Sequence, residues 1–414
     1  MFLIDRRYVR YFDWSGLLLI IILSCVGLLF VYSATYRPEQ PYSLFFKKQL
    51  FGLISGWVIY AVCCTIDYRS LMRWGYFAYL AVLGLLVFTI IKGSIGMGAQ
   101  RWINVGLFKL QPSELAKLFF PAFATYYLVT EDDSLDISFY RYVPVLITLA
   151  ISFVLILKQP DLGTALILAF SAAALLWLTG ITRKFFVISF ISIILCAPIL
   201  WHVLKLYQKQ RIAVFLGEGD LKKERYQLEQ AKIAIGSGGL TGKGFLQGTQ
   251  NKYLFLPESR TDFIFAVLCE ETGLVGALCI LLLYLLLFVR FFVVITSINA
   301  PFIQLLATGI IIHIVISTLI NIGMVLGLLP VVGIPLPLMS YGISNLWITF
   351  ASLGWFNGIA MRRFYMTNPT TVAQRLPSWQ SAGKKIEAGT AAPLHARSRQ
   401  QAMAGSKGTH KNVG

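Results

Sequence analysis

The sequence predicts an all-α polytopic membrane protein with about ten transmembrane helices, and three observations carry that expectation. Hydrophobic residues make up 57% of the chain and charged residues only 13%, with a mean hydropathy of +0.70. A soluble domain could not cover such a core. Apolar stretches of bilayer-spanning length recur from near the first residue to about residue 360. The connections between them are short except for one polar insertion at about 205–260, too long for an ordinary loop and therefore expected to be functional or folded in its own right.

The first stretch, at about 14–33, is too long for a cleaved signal peptide and ends on the bulky run Tyr32-Ser-Ala-Thr-Tyr36, so it is expected to remain as an anchor. Further spans are expected at about 50–66, 75–91, 113–130, 142–157, 162–179 and 185–204, and, after the insertion, at about 263–289, 302–328 and 343–360. With the N-terminus inside, the inner flanks hold eleven cations, among them Arg6, Arg7, Arg10, Arg290 and Arg362, against seven on the opposite short flanks. That bias favours both termini in the cytoplasm and the 205–261 loop outside, between the seventh and eighth helices.

The loop carries ten Lys or Arg, including Lys209, Arg211, Lys232, Lys243 and Arg260. It reads either as a solvated basic surface near headgroups or as a cationic receiver of an anionic ligand. Glu218 to Ile235 has helical spacing, and Gly236-Ser-Gly-Gly-Leu-Thr-Gly-Lys-Gly244 is expected to break that helix. The glycine run is not a nucleotide phosphate loop, because Ser237 stands where the first glycine is needed and Gly244 follows Lys243 where Ser or Thr is needed. A backbone nest or a sharp hinge remains open.

Ionisable residues in the spans are few. Asp262 stands at the mouth of the eighth span, where a carboxylate costs several kcal/mol unless it faces a cavity or a partner; it is the leading catalytic candidate, with a helix-cap role as the alternative. Glu270 and Glu271 lie roughly 12 Å farther along the helix axis, which predicts a span that begins inside a polar cavity. Glu114 and Lys117 share a helix face at i, i+3 and read as either an ion pair or a site. His313, Ser317 and Asn321 form an i, i+4, i+8 row expected to act as interhelical glue. Four scattered histidines and six cysteines in predicted spans give no zinc or redox pattern. The tail, at about 364–414, reads as a disordered cytoplasmic extension near anionic lipid.

The segments Arg101-Trp-Ile-Asn-Val-Gly106, Gln111-Pro-Ser-Glu-Leu-Ala-Lys117, Gln159-Pro-Asp-Leu-Gly-Thr-Ala165, Lys232-Ile-Ala-Ile-Gly-Ser-Gly-Gly239, Gly248-Thr-Gln250, Phe255-Leu-Pro-Glu258, Thr261-Asp-Phe-Ile-Phe-Ala266 and Ser340-Tyr-Gly342 resemble the SEDS proteins of shape, elongation, division and sporulation, and among them the rod-shape RodA branch. The resemblance covers about residues 10–365. Two departures stand out: Ser344 occupies a position where the family usually has a glycine, and the tail has no counterpart.

The resemblance implies a peptidoglycan glycosyltransferase that polymerises lipid II, a disaccharide peptide on undecaprenyl diphosphate, at the outer face of the bacterial cytoplasmic membrane. Asp262 would be the general base. Arg101, Trp102, Glu114, Lys117, Arg211, Lys243 and Arg260 are the residues expected to bind substrate. A role for Asp262 in holding a divalent cation, Mg or Mn, on the diphosphate stays open, and no other cofactor is expected. The implied partners are a class B penicillin-binding protein and the elongation machinery, with no nucleic acid. The rival readings are a lipid II flippase, a noncatalytic cell-wall scaffold, and a division or sporulation paralogue.

Overall fold

Every apolar stretch forms a helix in the computed structural model, which describes residues 11–96, 99–106, 108–130, 139–203, 206–218, 225–253 and 255–363. The expected tail and the arginines at positions 6, 7 and 10 lie outside the described residues. The helices are α1 (Trp14–Thr35), α2 (Leu44–Thr65), α3 (Tyr68–Lys92), α4 (Pro112–Thr130), α5 (Val143–Lys158), α6 (Leu162–Leu178) and α7 (Arg183–Val203). After two helices within the insertion, α8 (Leu206–Phe215) and α9 (Tyr226–Gly238), and a single turn, α10 (Thr249–Lys252), the chain returns through α11 (Ile264–Thr296), α12 (Pro301–Val325) and α13 (Ile343–Arg362). Six of these are long and apolar enough to cross a membrane by length and composition. The second begins earlier than its apolar run suggests, because Ser43 caps it through a hydrogen bond from Phe46 N (3.1 Å) and draws Lys47 and Lys48 into its first turns.

α13 is the central post. Its residues are buried almost all round from Leu346 to Met361, as expected of a helix enclosed by protein rather than lipid. α2 lies against it through small residues: a Cβ on Gly354 would stand 2.5 Å from the carbonyl oxygen of Tyr60, so the close crossing requires glycine there. A second core joins α3, α4, α5 and α6 around Tyr79, Phe120, Phe123 and Leu168.

Three findings differ from the sequence expectation. The chain between α3 and α4 forms a three-stranded antiparallel sheet, β1 (Ser94–Gly96), β2 (Ala99–Val105) and β3 (Phe108–Leu110), in the order β1-β2-β3 with Asn104 opposite Lys109. The helix in the insertion does not stop at Gly236 but continues to Gly238, and Gly239 ends it with φ of 55°. Glu270 and Glu271 do not open into a polar cavity. Both are buried against protein, with Glu270 0% exposed.

Those last two corrections share one cause. The glycine run lies directly on α11, which is itself broken at Gly273 (φ 66°, ψ −162°). Lys243 N and Gly244 N donate to the carbonyls of Glu270 and Glu271 (both 3.0 Å), and Leu274 N and Val275 N donate back to Gly239 (2.9 Å) and Leu240 (3.1 Å). Backbones this close leave no room for side chains: a Cβ on Gly242 would sit 2.1 Å from the Glu271 carbonyl oxygen. The Glu270 carboxylate then anchors the strap, accepting from Lys243 Nζ (2.7 Å), Thr249 N (2.7 Å), Thr249 Oγ1 (2.9 Å) and Gln250 N (3.1 Å). Glu271 accepts from Ser33 of α1.

Candidate functional site

Asp262 sits in the turn that leads into α11, and three consecutive carbonyls of that turn are clamped. Arg260 O accepts from Tyr341 N (2.9 Å), Thr261 O from Ser340 Oγ (2.5 Å) and Asp262 O from Asn321 Nδ2 (2.9 Å). Asn321 also donates to Ile334 O (2.6 Å), and Ser340 Oγ accepts from Leu336 N (2.8 Å). The glue row on α12 therefore ends in a residue that fixes the backbone of the candidate base, while its first member, His313, meets Ser352 of α13 (3.4 Å). Glu258 completes the turn. It adopts φ of 55°, and its Oε2 accepts from Thr261 Oγ1 (2.9 Å). An αL conformation at a non-glycine residue is a cost of roughly 1–3 kcal/mol that the surrounding structure must hold in place.

The Asp262 carboxylate faces a cavity of about 1190 Å³, on the scale of a site for a large ligand. Its walls come from the sheet (Arg101, Trp102, Lys109), the start of α4 (Glu114), the turn before α6 (Asp161), Arg211 of α8, the 331–335 segment and the start of α13. Gly333 (φ 77°) keeps the space beside the carboxylate open, since a Cβ there would lie 3.4 Å from Asp262 Oδ2. Opposite charges meet along the wall. Asp161, 4% exposed, accepts from Gln111 Nε2 (2.6 Å) and caps α6 through Thr164 N (3.2 Å). Arg101 Nη1 stands 3.7 Å from Asp161 Oδ1, the oxygen that caps α6.

Of the residues expected to bind substrate, Arg101, Trp102, Glu114 and Arg211 line this cavity with Asp262. Lys117, Lys243 and Arg260 are not among its walls. Lys117, 2% exposed, is neutralised behind the wall by Glu114 (2.8 Å), whose Oε2 also accepts from Asn345 Nδ2 (3.1 Å). Lys243 is held by Glu270, and the Arg260 guanidinium lies 4.0 Å over the Phe45 ring. Sequence alone assigns no site role to Asp161, Glu258 or Asn345, and reads Asn321 only as interhelical glue. Asp161 offers an N-cap signature in sequence, the same as Asp13 and Asp67, which cap α1 and α3, and otherwise stands out only within the Gln159-to-Ala165 motif.

Burial, reinforced by the Glu258 charge and opposed by Arg211 and Arg101, pushes the Asp262 carboxyl up to about 6. A carboxylate in that range is matched to accepting a proton near neutral pH. The rate of the chemical step is expected to fall about tenfold per pH unit as pH drops below about 6, because only the ionised form can act as a base. Glu258→Gln removes a like charge and should move this limb to lower pH; Arg211→Gln should move it to higher pH. A pH-rate profile of the three proteins reads both shifts, and identical limbs would remove Asp262 from the titration. Asn321→Ala should lower kcat by about 10–100-fold through misplacement of the carboxylate, with a smaller change in KM, as single-turnover kinetics would show.

The chain matches a family profile described as "Cell cycle protein", FtsW/RodA/SpoVE, over residues 14–364. It is 38% identical over 346 residues to the peptidoglycan glycosyltransferase MrdB of Escherichia coli K12, covering 83% of this chain and 92% of that protein. It is 36% identical over 362 residues to MrdB of Helicobacter pylori 26695, covering 84% and 90%. Among solved structures, it resembles a chain from a peptidoglycan synthase complex described as coordinating polymerization and crosslinking, with TM-score 0.74 and 26% identity over 86% of this chain and 99% of that one. It also resembles the rod shape determining protein RodA of Thermus thermophilus, with TM-score 0.63 and 26% identity over 85% and 98%.

Proposed function

Because the chain belongs to the FtsW/RodA/SpoVE family and is a multi-pass membrane peptidoglycan glycosyltransferase of the elongation type, we propose that it polymerises lipid II in the cavity around Asp262, on the outer side of the cytoplasmic membrane, with both termini inside. The observation that carries this reading is one half-buried carboxylate, raised to about 6 and clamped through its backbone, facing a cavity lined by Arg101 and Arg211.

In the proposed step Asp262 takes the proton of the acceptor sugar 4-hydroxyl. That oxygen forms a bond to the donor anomeric carbon as the bond from this carbon to the diphosphate oxygen breaks. The electron pair leaves with undecaprenyl diphosphate, and the anomeric configuration inverts. An inverting displacement needs a base and no carboxylate nucleophile. Trp102 offers a flat apolar face to a sugar or peptide, and Arg101 and Arg211 attract the anionic substrate. Asp262 as a ligand to a divalent cation is the second role. Among the described residues no group of three His, Cys, Asp or Glu side chains is placed to hold a metal, so such an ion would take substrate oxygens as its further ligands.

A class B penicillin-binding protein is the proposed partner, together with the elongation machinery, supported by the likeness to a peptidoglycan synthase complex chain. Purified protein with its cognate transpeptidase, given labelled lipid II in detergent where no bilayer separates the substrate, is expected to yield glycan polymer. A flippase or a scaffold would yield none.

A further inference from the structure

Four aromatic rings cluster where α1 passes into α2, and the glycosyl-transfer step leaves them without a role. Tyr32 is the hub: its ring centroid lies 5.6 Å from that of Tyr36, 6.0 Å from Tyr42 and 5.2 Å from Phe46, and Tyr42 and Phe46 are themselves 6.0 Å apart. The turn that presents them is fixed. Ser43 Oγ donates to Thr35 Oγ1 (2.8 Å) and accepts from Phe46 N (3.1 Å), and Gln40 N donates to Arg37 O (3.0 Å).

These rings are not core. None of the four is buried, and Tyr42 is 63% exposed. Tyrosines inside the bundle pair their hydroxyls with protein: Tyr60 with Asn357, Tyr79 with Ser152, Tyr142 with Thr179 and Tyr284 with Pro337. The hydroxyls of Tyr32, Tyr36 and Tyr42 bond to no described residue.

Their place beside the cavity says what they would meet. Phe45, next to Phe46 in the first turn of α2, meets Tyr341 edge-on (5.4 Å, 88°), and Tyr341 is cavity wall. The Arg260 guanidinium lies over the same Phe45 ring, so this ring also touches the turn of Asp262. Aromatic side chains therefore lead from the wall of the site around the start of α2. A chain of sugars must be drawn out of the cavity at each addition to vacate the site for the next unit. A sugar ring has apolar C–H faces and a rim of hydroxyls, and a tyrosine answers both with a flat apolar face and a hydroxyl at its edge. Rings that only anchor a bundle to lipid headgroups follow the membrane plane and need no cavity; these are continuous with one.

We propose that Tyr32, Tyr36, Tyr42 and Phe46 form a stacking platform for the glycan product as it leaves the cavity, a saccharide subsite built of rings rather than charges. The proposal rests on the glycosyl-transfer reading and adds to it a means of keeping the growing chain. Such a platform acts through the rate of release. Each addition competes with release, so slower release lengthens the strand without accelerating the chemical step.

The test is binding of a short lipid-free oligomer of the lipid II disaccharide to the purified full-length protein, beside the length distribution of glycan made from labelled lipid II. Tyr36→Ala and Tyr42→Ala are each expected to weaken oligomer binding about 3–10-fold, the worth of one aromatic contact, and to shorten the glycan in detergent as in vesicles. The double variant should shorten it further, whereas Tyr42→Trp, which keeps a flat face, should hold the length near that of wild type. Melting curves check that each variant folds. A wild type that binds no oligomer, or a double variant with unchanged binding and glycan length, overturns the proposal. So does shortening seen only in vesicles and not in detergent, which would assign the rings to membrane anchoring. If the wild type binds the oligomer through these rings but makes no polymer, the glycosyl-transfer reading falls while the saccharide subsite stands.

Discussion

Asp262→Asn is expected to lower glycan polymerisation by about 10²–10⁴, the usual worth of a positioned general base, without destabilising the protein. Both halves follow from the site. Asparagine is nearly isosteric and leaves the three backbone clamps from Tyr341, Ser340 and Asn321 in place. It cannot accept the hydroxyl proton at neutral pH. The stability half has a definite sign. The folded carboxyl is raised from 3.8 to about 6, so ionisation costs more in the folded protein than in the unfolded chain. That cost is fully present above about pH 6 and fades as pH falls toward the unfolded value.

The variant should therefore melt at the same temperature as wild type or above it at pH 7.5, and the difference should shrink by pH 5. A group kept for packing would show the opposite, and a catalytic group held at the expense of stability shows this one. Thermal melts at the two pH values, beside polymerisation from labelled lipid II, give both readings from one preparation. Equal polymer from variant and wild type would remove Asp262 from the chemistry. A drop in melting temperature accompanying lost activity would reassign it to the fold.

The parts of this architecture that were legible in sequence are those governed by a single strong term. Every membrane helix had to satisfy its own backbone and present apolar side chains, so each was visible as a run. Asp262 was visible because an acid beside a 33-residue apolar helix has few inexpensive explanations. The sheet was not, since two of its strands have only 3 residues and the 7-residue strand does not alternate, Arg101 falling in register with Ile103 and Val105 and Trp102 with Gln100 and Asn104. Lys243 reads as a free cation until its partner is known, and that partner, Glu270, lies on a different element. Asp161 illustrates a further limit: capping an α-helix and facing a basic cavity demand the same residue, so the commoner role hides the rarer one.

The glycine run offers the sharpest contrast between the two levels of reading, and Gly242→Ala decides it. Were the run a backbone nest for a ligand, alanine at 242 would raise KM and leave stability alone. The structure requires the reverse. Gly242 has φ of 80°, and a Cβ there would stand 2.1 Å from the carbonyl oxygen and 2.4 Å from the carbonyl carbon of Glu271, backbone atoms of a helix that cannot swing aside. The strained dihedral costs about 1–2 kcal/mol and forced overpacking typically another 1–3 kcal/mol, so a loss of about 2–5 kcal/mol is expected. Separation of the strap from α11 would also loosen the bonds from Lys243, Thr249 and Gln250 to the buried Glu270, whose carboxylate would then lie unpaired in protein. Those contacts hold Gln250, from which the chain runs through Glu258 into the turn of Asp262, so polymerisation should fall with stability in the same variant. A lower melting temperature with reduced kcat supports the strap. A raised KM on an unchanged melting curve would return the glycines to ligand binding.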